Sequence, residues 1–93
     1  MRLTQPTDFE ILEALATYGR NVSANIAVHI DRNRPYVNTR MPHLQDQGLV
    51  TKIGPTDNSG LYELTDRGQA ALSARDQYGD VDPDQFEAIV ESA

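Results

Sequence analysis

Over the first fifty residues the apolar positions recur at helical rather than strand spacing. Ile11, Leu12 and Leu15 lie within about one turn of each other, behind Thr7-Asp8-Phe9-Glu10. That start predicts an N-cap at Thr7 and a capping box closed by Glu10 at the third helical position. The helix should run over 8–18, with Gly19 just past its end. Phe9 falls off the stripe and has two readings, a core residue folded over the helix end or a contact to a partner chain. A second, shorter helix is predicted over 21–30, with Ile26, Ala27 and Ile30 inward and Ala27 small where another helix must pass.

The polar turn Asp31-Arg32-Asn33 leads into a third helix over 34–47. Asn33 is placed to cap it, and Pro35 sets φ in the first turn without losing a needed hydrogen bond. Val37, Met41 and Leu44 fall at i, i+4 and i+7 and mark the buried stripe. On the other side lie Tyr36, Asn38, Thr39, His43 and Asp46. Asp31 stands where a turn glycine is usual, with Arg32 beside it instead of an apolar residue. Closure by an Asx-type bond from Asp31 is therefore expected. Pro42 removes a backbone bond and clashes with the Asn38 carbonyl, at about 3 kcal/mol. The helix should kink or divide there; a kink either sets the tilt of the Asn38–Thr39 face or is tolerated without a role.

Beyond Gly48 the spacing changes. Residues 49–53 and 61–64 read as strands on either side of Gly54-Pro55-Thr56-Asp57-Asn58-Ser59-Gly60, a dense turn cluster, and together predict a β-hairpin with a polar tip. Thr65 then caps a helix over 66–78, with Ala71, Leu72 and Arg75 on one face, and Gly79 stops it. Asp82 as N-cap, Pro83 at the first helical position, Gln85 two positions later and a Val81–Phe86 staple start a last helix over 83–91. Phe86, Ile89 and Val90 share one side of it. The fold class is thus mainly α with a small β-hairpin (α+β), in the order α-α-α-β-β-α-α. Residues 1–79 form the domain and 80–93 a C-terminal helix that either dimerises or closes the core.

Composition narrows the setting. Cysteine is absent, so disulfides and thiolate zinc sites are excluded. No apolar run is long enough for a membrane span and no leader pattern opens the chain, so a cytoplasmic protein is expected. Net charge is −6, and seven of the eight basic residues are arginine. Acidic, lysine-poor surfaces suit concentrated salt, where a Debye length of about 3 Å at 1 M screens self-repulsion; an ordinary acidic mesophilic protein is the plainer reading. The charge is uneven. Residues 61–93 hold eight acidic and two basic residues, while residues 20–52 hold Arg20, Arg32, Arg34, Arg40 and Lys52 against Asp31 and Asp46, a local +3.

Two helices joined by a three-residue turn, the second polar on its outer face, form the helix-turn-helix pattern, and a hairpin directly after it is a wing. Gly48-Leu49-Val50, the wing's Asn58-Ser59-Gly60-Leu61-Tyr62 and Leu64-Thr65-Asp66-Arg67-Gly68 together suggest a family, and the pairing of the first with the last resembles winged-helix transcription regulators. Thr7-Asp8-Phe9-Glu10-Ile11-Leu12 and Asn38-Thr39-Arg40-Met41-Pro42-His43-Leu44 resemble, more narrowly, small haloarchaeal winged-helix proteins related to the repressor of halophilic phage phi-H. The similarity spans roughly residues 3–79 and implies a DNA-binding repressor or related regulator in a salt-loving archaeon or its virus.

On that reading the helix after Asn33 enters the major groove of double-stranded DNA. Asn38 suits a bidentate contact to adenine, Thr39 a thymine methyl, and Arg34 a phosphate or guanine. Pro35 lies at the same helix start. Tyr36, Arg40 and His43 position the backbone, Arg32 and Lys52 flank the groove, and Thr56, Asn58 and Ser59 at the wing tip reach phosphates or the minor groove. Plainer readings stand beside these: Asn38 as a solvated helix residue, and Arg40 paired with Asp46 or Glu10. A homodimer on a two-fold site is economical, with Phe9, Phe86, Ile89 and Val90 as its surface unless they close the monomer core.

His29 and His43 are too isolated for a metal site. Asp80-Val81-Asp82-Pro83-Asp84 with Glu91 has calcium-loop spacing, but Gln85 replaces the required glycine, and acidic residues at a helix N-terminus explain it better. No catalytic grouping or phosphate loop stands out. The expectation is no enzyme, no cofactor and no metal. The rival function is a winged helix that binds a protein through its acidic C-terminal third.

Overall fold

The computed structural model describes residues 1–55 and 60–93. Its elements are α1 (Thr7–Tyr18), β1 (Asn21–Val22), α2 (Ser23–Ile30), α3 (Arg34–Asp46), β2 (Val50–Ile53), β3 (Leu61–Leu64), α4 (Asp66–Ser73), a 3-10 turn (Arg75–Gln77) and α5 (Pro83–Glu91). The chain is mainly helical with one small antiparallel sheet in the order β1-β3-β2, an α+β fold. The expected order lacked β1. Asn21 and Val22, read as the first turn of the second helix, pair with Tyr62 and Leu61. β-Branched Val22 is extended, and the Asn21 carboxamide oxygen accepts from the Val22 N–H and from the Asn25 side chain.

Three of the four predicted N-caps form. Asn33 accepts from the Tyr36 N–H at 2.8 Å, Thr65 from the Gly68 N–H at 2.9 Å, and Asp82 and Gln85 make a reciprocal capping box. The box at Thr7 and Glu10 does not form. Helix α1 starts a residue earlier, behind Pro6, with Thr7 buried. Glu10 is drawn away by Arg32, and Asp8 accepts the Thr4 N–H at 2.7 Å.

The turn between α2 and α3 closes through the backbone, not through the expected side-chain bond. Asp31 takes the left-handed conformation (φ 57°, ψ 49°), which aspartate tolerates better than most residues. Arg32 N–H then reaches the Ala27 carbonyl at 3.0 Å. Helix α3 continues through Pro42, so the division foreseen as one outcome does not occur. Helix α4 is shorter than predicted; it ends at Ser73, and the 3-10 turn carries the chain round to Tyr78. The Tyr78 hydroxyl accepts from the Leu3 N–H at 2.8 Å and donates to the Leu3 carbonyl at 3.0 Å, tying down the N-terminal segment.

The Gly48-Leu49-Val50 and Leu64-Thr65-Asp66-Arg67-Gly68 stretches on either side of the hairpin meet in space. Thr65 donates its hydroxyl to the Gly48 carbonyl at 2.6 Å, and the Thr65 N–H bonds the Leu49 carbonyl at 3.1 Å. Arg67 Nε donates to the Gln47 carbonyl at 2.9 Å. A Cβ at Gly68 would collide with the Leu49 carbonyl oxygen and the Leu64 side chain. This junction fixes the end of α3 against the start of α4.

One core unites the helices. Val37, Met41 and Leu44 are buried as the stripe predicts, with Ile11, Leu12, Ile26, Leu49 and Val50. Phe9, Tyr78 and Phe86 pack edge to face, with centroids 4.9 to 6.3 Å apart, a geometry worth about 0.5–1.5 kcal/mol per pair beyond area burial. This corrects the expected dimer surface: Phe9, Phe86 and Val90 are at most 3% exposed and close the monomer core, where they offer nothing to a second copy. Only Ile89 keeps partial exposure. Helix α5 therefore belongs to the same core as residues 1–79. Among the described residues no helix is long and apolar enough to cross a membrane.

Candidate nucleic-acid interface

Helix α3 has two unlike faces because its apolar residues repeat at helical spacing while its polar residues fill the gaps. Opposite the buried stripe, Arg34, Pro35, Asn38, Thr39 and His43 are exposed and Tyr36 is half-buried. Thr39 donates its hydroxyl to the Tyr36 carbonyl at 2.6 Å. What it offers a partner is a methyl group and an acceptor lone pair. Asn38 and Arg34 make no side-chain hydrogen bond or ion pair with the described residues. The Asn38 carboxamide thus presents both a donor and an acceptor to solvent.

The flanking cations are arranged differently from expectation. Arg40 does not face outward as a backbone-positioning group. Its Nε and Nη2 donate to the two Asp8 carboxylate oxygens, each at 2.9 Å, in a bidentate pair between α3 and α1. Asp8 is fully buried and the Arg40 side chain is 17% exposed. The hydrogen bond to Asp8, above all, holds the Arg40 guanidinium pKa above the ordinary arginine range, against the lowering effect of burial. The partner is neither Asp46 nor Glu10. Glu10 instead takes Arg32 at 2.7 Å, and that bond likewise raises the Arg32 pKa. Arg32 is therefore held on the α1 side and does not stand as a ready flank of the groove. Arg20 pairs with Glu63 at 3.4 Å.

These carboxylates cancel the local +3 read from residues 20–52. Arg34 remains without an ion pair among the described residues, and Lys52 is exposed on β2 with its ammonium 5.7 Å from the Tyr62 ring centroid. Lys52 stands opposite Tyr62 across the β2–β3 ladder, which explains the contact. Thr56, Asn58 and Ser59 lie outside the described residues.

The partnership of Asp8 with Arg40 has no local sequence signal, since the two are 32 residues apart. Asp8 and Glu10 are both acidic in the first turn of α1, and nothing local singles Asp8 out for it. The stacking of Tyr18 on His29, with ring centroids 3.8 Å apart and planes 10° from parallel, also went unforeseen. Among the described residues no group of three His, Cys, Asp or Glu is placed to hold a metal ion. No protein-family model, curated protein or solved structure matches the chain.

Proposed function

We propose that this chain is a sequence-reading DNA-binding regulator of winged-helix type, a repressor in its simplest form, akin to the haloarchaeal proteins it resembles in sequence. The observation that carries this reading is the outer face of α3. Asn38 stands there with an unpartnered carboxamide, beside Thr39 and Arg34, on a helix whose opposite face is anchored in the core. Helix α3 follows α2 through a three-residue turn and is followed directly by the β2–β3 hairpin, the order a helix-turn-helix with a wing requires.

In the complex α3 lies in the major groove. Asn38 makes paired hydrogen bonds to adenine N6 and N7, the Thr39 methyl packs on a thymine methyl, and Arg34 reaches a phosphate or guanine edge. Arg40 sets the pose of the helix from behind, through Asp8. Two copies on a two-fold site lengthen the sequence that is read, through a surface other than Phe9, Phe86 and Val90.

The neutralised flanks favour a second reading, a module that binds another protein. Fluorescence anisotropy against source-genome duplex fragments in about 2 M KCl, where charge repulsion is screened, separates the two. Saturable, fragment-selective binding that is lost in the Asn38→Ala, Arg34→Ala variant is the expected result. Absence of selective binding by folded protein sinks the DNA reading and leaves the interaction module.

A further inference from the structure

Between α1 and the end of α2 lies a groove of about 400 Å³, within the range of small-molecule sites. Its wall includes the stacked rings of Tyr18 and His29, and Tyr18 is 59% exposed. Ile30 contributes apolar surface, and Glu10, Glu13 and Asp31 contribute carboxylates; Arg32 holds Glu10 and Arg75 holds Glu13 at 3.0 Å, so of the three Asp31 alone has no ion pair among the described residues. No lysine or arginine lines it. A flat aromatic wall beside carboxylates suits a cation carried on a planar body, which gains from ring stacking and charge together.

Two of these residues also belong to the mounting of α3. Glu10 holds Arg32 at 2.7 Å, and Asp31 is the left-handed residue of the α2–α3 turn. We infer that this groove binds a small organic cation with a planar body, amidinium or ammonium, which takes over Glu10 and releases Arg32. Arg40 does not line the groove, and its bidentate bond to Asp8 keeps α3 seated while Arg32 moves. The ligand thereby frees one guanidinium just before the N-cap of α3. This consequence rests on the DNA-binding reading above: the released Arg32 adds a phosphate contact, and the cation acts as a positive effector.

Benzamidine is a suitable probe, with benzoate as the anionic control, in an NMR titration of the full chain. The expected result is a saturable shift at the amides of Tyr18, His29 and Asp31, with the Arg32 Nε–H resonance moving to the position it already holds in the Glu10→Gln variant. Tyr18→Ala, at an exposed site, should weaken the effect about tenfold, the loss of a stacking contact of roughly 1.4 kcal/mol. No saturable shift up to about 10 mM benzamidine, beyond the weak end of ordinary affinities, overturns the site. Shifts that benzoate reproduces, or that leave the Arg32 resonance in place, overturn the proposed exchange. Should the protein bind no DNA, this titration still decides the groove. Where it does bind, benzamidine should tighten the complex about fivefold, at the low end of allosteric coupling, and Arg32→Ala should remove that gain; unchanged affinity sinks the effector role.

Discussion

Arg40 illustrates how one side chain's partner decides its role. Were it a phosphate contact, removing it would weaken DNA binding and leave folding alone. Paired with Asp8, it governs stability instead, and the two ends of the pair are unequal. The Arg40 side chain is 17% exposed and its long stem can carry the charge out to water; Asp8 is fully buried and has no such route. Arg40→Ala should therefore cost on the order of 3 kcal/mol, since it strands a buried carboxylate with the Thr4 N–H as its remaining partner. Asp8→Ala should cost less. Urea unfolding of both variants in high salt measures the order, and a larger loss for Asp8→Ala contradicts the argument. Neither guanidinium makes folding pH-sensitive near neutrality. For Arg32 and Arg40 the folded pKa is raised, so their stabilisation is fully present below the ordinary arginine value and disappears only in stronger alkali.

Among elements, the junction of α3, β2 and α4 has the least tolerance. Gly68 lets the first turn of α4 lie directly on the Leu49 carbonyl, while Thr65 bonds Gly48 and Leu49 from the same turn. Gly68→Ala must push α4 away and break that set of bonds; a loss of about 2–3 kcal/mol, the upper range of overpacking, is expected. Thermal unfolding checks it, and a variant as stable as the parent would mean that α4 moves freely on α3. This contact also explains why the Leu-Thr-x-x-Gly motif was conspicuous in the sequence while its purpose was not: the spacing was visible, the carbonyl it accommodates was not. Elements governed by local chemistry were legible in the same way. Asn33, Thr65 and Asp82 cap as their neighbours dictate, and Val37, Met41 and Leu44 point inward because their spacing is helical. Misreadings arose where distant partners decided. Asn21 and Val22 are a strand because Leu61 and Tyr62 pair with them. Glu10 leaves its helix start because Arg32 competes for it. Phe86, left open between a dimer surface and the core, is core because Phe9 and Tyr78 meet it from other elements. The outer face of α3 was correctly seen as polar and exposed, but its flanking charges were counted without the carboxylates that α1 and β3 bring to them.

For the whole molecule, net charge and pairing together set how the proposed DNA affinity should respond to salt. The chain carries −6, and Arg20, Arg32, Arg40, Arg67 and Arg75 are each held by a carboxylate. A cation already paired within the protein displaces few counterions when it approaches a phosphate, so counterion release should be small for each copy bound. The slope of log affinity against log salt should accordingly lie between about −1 and −3 per protein chain, the response to one to three phosphate contacts. Regulators that depend on many lysine and arginine contacts lose affinity far more steeply, and in molar salt they would hardly bind. On the proposed DNA-binding function, hydrogen bonds from Asn38 and the fit of α3 would supply most of the free energy here, terms that salt screens little. Anisotropy titrations across a range of KCl concentrations measure the slope, with circular dichroism confirming that the protein stays folded at the low end, where self-repulsion is greatest. A slope near −6 would require Arg20, Arg32 and Arg40 to leave Glu63, Glu10 and Asp8 on binding. Since release of Arg40 also strands a buried carboxylate, such a slope would mean that α3 is remounted in the complex and that the free fold is not the one that reads DNA.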